Sequence, residues 1–166
     1  MRSPKPRTLA IAAAAAMLMA GALVALLSGG SRAADSGARG TLRLVVEFNR
    51  FADARDDVAP RGDSPGDQVV HSDPVFASDN RTRVGRAMFL NTFQEGSGVL
   101  VTGALRLRRG TITLAGARLD GAGDLAVTGG TGAYAGARGT YEQDGQVEVR
   151  GEDGPVRERV TITFSR

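Results

Sequence analysis

The chain of 166 residues has no cysteine, no tryptophan and a single histidine, which excludes a disulfide framework, a thiol nucleophile and a thiolate metal site. His71 by itself falls short of the three or four convergent ligands of a zinc site, so no metal is expected. The formal charge of +3 belongs to the start of the chain: Arg2, Lys5, Arg7 and Arg32 precede the first acid, Asp35, and the remainder carries 17 basic against 18 acidic residues. Only RLRR, Arg106 to Arg109, is densely basic, and no aromatic residue lies near it, so no nucleic-acid surface is expected.

Residues 1–33 read as a secretory leader. MRSPKPR is positive, Leu9 to Leu27 is uncharged and largely apolar, and SGGSRA ends in small residues that place cleavage after Ala33. The alternative is an uncleaved membrane anchor, because the stretch is long enough to span a bilayer. With no cysteine to lipidate and no RR pair in the leader, the expected address is secreted or extracytoplasmic by the general route. Residues 34–40 read as a flexible lead-in to a domain over 41–166.

TLRLVVEF then alternates, with Leu42, Leu44 and Val46 on one face and Arg43, Val45 and Glu47 on the other. ADARDDVAPRGDSPGD reads as a charged surface loop. QVVHSDPVF, RVGRAMFLNTF, GVLVTGALRLRR, GTITLAGARL, DLAVTG, GAYAGARGTYEQ, GQVEVRG and PVRERVTITFSR follow as strands, Pro74 being a possible break in the first of them. No segment past the leader carries a helix-length apolar stripe. About eight short strands joined by glycine-rich turns predict an all-β fold, a small closed antiparallel barrel, since glycines inside strands permit tight coiling and closure removes exposed edges.

TGGTGAYAGARGT, Thr128 to Thr140, tests that reading. Gly130 and Gly132 supply the opening of a dinucleotide fingerprint, but no lysine follows and YEQDGQVEV alternates like a strand, so the stretch bends a sheet rather than cradling a phosphate. No G-x-S-x-G occurs to support serine hydrolysis.

VTGGTGAYAGARGTY, Val127 to Tyr141, resembles the signature strand pair of the allene oxide cyclase and dirigent-protein group, calycin-like eight-stranded barrels. PGDQVVHSDPVFASDNRTRVG, Pro65 to Gly85, resembles their second and third strands, and VEFN, Val46 to Asn49, their first-strand Glu-x-Asn pattern. The resemblance spans roughly Leu42 to Phe164. It implies a barrel that binds a lipophilic small molecule, without a cofactor, and steers ring closure of a reactive intermediate as an isomerase or cyclase. It also implies a homo-oligomer, dimer or trimer. By motif the catalytic roles fall on Glu47, Asn49 and Asp73, while Asn91 stands where plant cyclases carry cysteine. The alternatives are a non-catalytic ligand-binding or structural envelope barrel, and dirigent-like stereocontrol.

Parity completes the candidate site. Asn91, if inward, brings Ala87, Phe89 and Phe93 with it and turns Arg86, Met88 and Leu90 outward. His71 shares a face with Asp73, and Tyr134 is a candidate rim residue. The expected substrate-binding set is therefore His71, Ala87, Phe89, Asn91, Phe93 and Tyr134.

Overall fold

The computed structural model describes residues 39–49, 54–58, 60–121, 123–149 and 154–165, so the leader and most of the lead-in lie outside the described residues. Nine strands run in chain order: β1 Gly40–Phe48, β2 Ala54–Asp56, β3 Gln68–Ala77, β4 Arg83–Phe93, β5 Gly98–Leu107, β6 Gly110–Leu119, β7 Leu125–Gly130, β8 Gly139–Val149 and β9 Val156–Phe164. They pair antiparallel in the order β1-β9-β8-β7-β6-β5-β4-β3-β2, and β1 also pairs with β3. That last pairing closes eight strands into a barrel and leaves the three-residue β2 as a short extra edge on β3.

The expected alternation positions the core. Leu44 and Val46 of β1, Val75 of β3, Leu105 of β5, Ile112 and Leu114 of β6, Leu125 and Val127 of β7, and Val160 and Ile162 of β9 fill the interior. Each such buried side chain contributes about 1.5–3 kcal/mol relative to exposure. Met88 faces out as parity requires, 55% exposed.

Three expectations need correction. Part of the predicted surface loop is a strand, since Ala54–Asp56 pairs with Gln68–Val70. The strap that follows is pinned by the buried carboxylate of Asp67, which accepts from the Val58 amide at 2.7 Å, the Ser64 amide at 3.1 Å and Arg55 at 2.9 Å. GAYAGAR is not a strand: Gly132–Tyr134 makes a short 3₁₀ turn, and the two strands predicted around Gly145 are one, β8, with register shifts near Gly145 and Glu148. Nor does Pro74 break β3. The β1–β3 ladder stops at Val46↔Val75, so the proline, which has no N–H to give, comes where that ladder has ended. The irregularity in β3 falls instead between Val75 and Phe76.

The two ends of the barrel differ. At the end where β9 finishes, the 3₁₀ turn folds inward and Tyr134 stacks on Phe164, ring centroids 6.1 Å apart. Gly130 is required there because a Cβ would meet the Tyr134 and Thr111 carbonyl oxygens at 2.4 and 2.5 Å. The glycine-rich stretch thus lets a plug approach the sheet backbone. At the opposite end, where β1, β4 and β6 finish and β3, β5 and β9 begin, the barrel stays open.

Candidate functional site

The open end holds a cavity of about 280 Å³. Its apolar walls are Phe48 at the end of β1, Phe89 of β4 and Val101 of β5. Phe89 is central, tilted against Phe48 at 6.0 Å and edge-on to Tyr141 at 6.2 Å. Its ring packs over Gly103, the residue opposite it on β5, where any side chain would collide.

His71 and Asn91 line the same cavity, as expected from sequence. His71 stands opposite Phe89 in the β3–β4 register and Asp73 opposite Ala87, so Asp73 and Ala87 lie one step deeper, both buried. Oδ1 of Asp73 accepts from the Asn49 main-chain amide at 3.2 Å. The structure therefore joins Asn49 to Asp73 through the Asn49 backbone, with the Asn49 residue itself exposed.

The remaining polar wall was not anticipated. Arg118 of β6, Gln143 of β8 and Glu158 of β9 all line the cavity, and Gln143 donates to Glu158 Oε2 at 2.8 Å. Their inward direction follows from parity: Arg118 continues the Ile112, Leu114, Gly116 row, and Glu158 continues the Val160, Ile162 row. That signal was present in LAGARL and RERVTITF, but it points to a cavity only once the ends of these strands are known to meet at one mouth. Tyr141, fully buried, lies on the same inner face of β8 as Gln143.

Burial shapes the electrostatics. It pushes the Glu158 carboxyl above the ordinary carboxylate range, with the Arg118 guanidinium opposing the shift. Burial also pushes the Tyr141 phenol up, lowered in part by Arg118 and raised further by Glu158 and Asp73, so Tyr141 keeps its proton and is a donor. His71 Nδ1, Arg118 Nε and Tyr141 Oη are buried and have no hydrogen-bond partner among the described residues. Each such group costs about 1–3 kcal/mol when left unsatisfied.

Other predicted site residues lie elsewhere. Glu47 faces outward with Arg43 and Val45, because Leu44 and Val46 occupy the core. It pairs with Arg157 at 2.6 Å; the guanidinium also reaches Glu148 and the Asn80 carbonyl, and lies 4.2 Å from the centroid of the Phe76 ring. That cluster binds the β3–β4 turn to β1, β8 and β9 on the outside of the barrel. Tyr134 belongs to the plug at the closed end rather than to the rim. Phe93 borders a separate hollow of about 240 Å³ between the strap and the β4–β5 turn, with Ser64, Pro65 and Val99.

No protein-family model and no curated protein matches the chain. Solved structures do match. A pyocyanin demethylase is similar over 75% of this chain and 99% of its own, at 22% identity and a TM-score of 0.60. A pterocarpan synthase dirigent protein is similar over 83% of this chain and 96% of its own, at 18% identity and 0.60. A second such dirigent protein covers 76% and 95%, at 20% identity and 0.55. At these identities the likeness establishes the fold, a dirigent-type or related small closed β-barrel, and it does not single out the allene oxide cyclases.

Proposed function

We propose that the protein is an exported barrel that binds a small lipophilic molecule in its open end. One observation carries this reading: apolar walls of Phe48, Phe89 and Val101 face the polar side chains of His71, Asn91, Arg118, Gln143 and Glu158 across one open cavity. An apolar pocket with a few convergent polar groups is the usual composition of a small-molecule site. A purely structural barrel gains nothing from gathering these polar groups, two of which, His71 and Arg118, each hold a buried nitrogen without a hydrogen-bond partner among the described residues at a cost of about 1–3 kcal/mol. The similar structures support the reading, since the names pyocyanin demethylase and pterocarpan synthase describe actions on small molecules.

The volume sets the ligand at the small end of such sites, about one or two fused rings. Ring closure or isomerisation of the bound molecule, and dirigent-like stereocontrol, are extensions of this reading. In either extension Glu158 and Asp73 are the inward carboxylates, in place of Glu47. No cofactor is part of it. Self-association would use the outer face on which Met88 and Leu100 are exposed.

Native mass spectrometry of the protein purified from its own cells, with extraction of retained compounds, tests the proposal. A lipophilic compound bound one per chain and lost in Val101→Phe is the expected result. Protein that carries nothing and takes up no hydrophobic probe would leave only the structural-barrel alternative.

A further inference from the structure

The chemistry of the polar wall narrows the ligand and gives it a reaction. The Arg118 guanidinium lines the cavity, and its Nε has no acceptor among the described residues. Glu158 faces the same cavity, one carboxylate oxygen held by Gln143. An anionic ligand would meet the two inward carboxylates, Asp73 and Glu158, and a cationic one would meet Arg118. A neutral molecule with one strong acceptor oxygen satisfies the guanidinium and offends neither carboxylate. We infer that Glu158 is a general base toward a small ring ketone or enone whose carbonyl oxygen is held by Arg118, both side chains lining the same cavity.

The step balances without a co-reactant. Glu158 takes a proton from the carbon beside the carbonyl, and the C–H electron pair becomes the C=C bond of an enolate. The carbonyl π pair moves to the oxygen, where the Arg118 guanidinium stabilises it. Return of the proton to the same carbon gives exchange, and return to the far end of a conjugated system gives a double-bond shift. The burial that raises Glu158 above the ordinary carboxylate range makes it a stronger base than one in water. Phe48 and Phe89 supply flat apolar walls for the ring.

This inference rests on the pocket reading above, and 2-tetralone separates the two. It is a bicyclic ketone with exchangeable C–H groups beside the carbonyl; tetralin is the matching hydrocarbon without the oxygen. In D₂O, wild-type protein is expected to bind 2-tetralone and to accelerate its deuterium uptake. Glu158→Gln should cut the protein-catalysed rate by about a hundredfold or more while still binding. Arg118→Met should weaken 2-tetralone but not tetralin. The exchange rate should rise with pH as Glu158 ionises, and Glu158→Asp should retain part of it, which a merely structural role would not produce. Binding without exchange above buffer, or exchange equal in wild type and Glu158→Gln, overturns the proton transfer and leaves the pocket standing. Failure of both 2-tetralone and tetralin to bind overturns the pocket and the inference together.

Discussion

Replacing Gly103 by alanine tests how the cavity wall is built. The new Cβ would sit 2.5 Å from Cδ1 and 2.8 Å from Cε1 of Phe89, and 3.0 Å from the Met88 carbonyl oxygen. The first two contacts are far inside van der Waals range, so the ring must move by roughly an ångström. The sheet blocks one direction, which leaves the cavity as the place to go. Overpacking of this kind costs about 1–3 kcal/mol, and the lower half of that range is expected because the cavity offers room. Urea denaturation of wild type, Gly103→Ala, Phe89→Leu and the double variant forms a cycle. The alanine should cost about 1–2 kcal/mol beside phenylalanine and nearly nothing beside leucine, a coupling of similar size. Gly103→Ala should also weaken uptake of a hydrophobic probe, because the displaced ring fills the pocket. Equal cost in both backgrounds would refute the packing of Phe89 on Gly103.

Glu158→Gln should raise thermal stability at neutral pH. The folded-state pKa of Glu158 lies above its unfolded value, so its ionisation subtracts stability as pH rises through that window, and the gap between wild type and variant should open there and then level off. Asp67 behaves oppositely: burial alone would raise it, but the donors on Ser64, Val58 and Arg55 outweigh burial and hold it below the ordinary range. Its stabilisation is therefore present above the unfolded pKa and lost as pH falls through the folded one; Asp67→Asn should remove that acid dependence and speed hydrogen exchange at the Val58 and Ser64 amides. Glu47→Gln should cost roughly 1–3 kcal/mol in urea melts, less than a fully buried pair because Glu47 is 19% exposed, and should leave probe affinity unchanged. A loss of probe affinity in Glu47→Gln would place that carboxylate in the site after all.

The barrel was legible because its strands alternate and its turns carry glycine. The positions of individual carboxylates were harder. The alternation of TLRLVVEF already separates Glu47 from Leu44 and Val46, so the rule that located the core also turns Glu47 outward, against the role drawn from the Glu-x-Asn resemblance. His71, Phe89 and Asn91 were found by the same rule, applied to β3 and β4, which pair directly. Arg118 and Glu158 escaped notice for a geometric reason. They lie on strands far apart in sequence, and only the β1–β3 closure and the antiparallel order bring the end of β6 and the start of β9 to one mouth. Tyr134 was misplaced because GAYAGAR forms a 3₁₀ plug, where strand parity has no meaning.

The most direct measurement is an amide and arginine side-chain NMR titration of the protein with 2-tetralone. The account predicts saturable shifts at His71, Phe89, Asn91, Gln143 and Glu158 and at Nε of Arg118, with Glu47, Arg157 and the outward Met88 and Leu100 unmoved. Absence of saturable shifts, or shifts centred on the outer face of β4 and β5, would contradict a binding site inside the barrel.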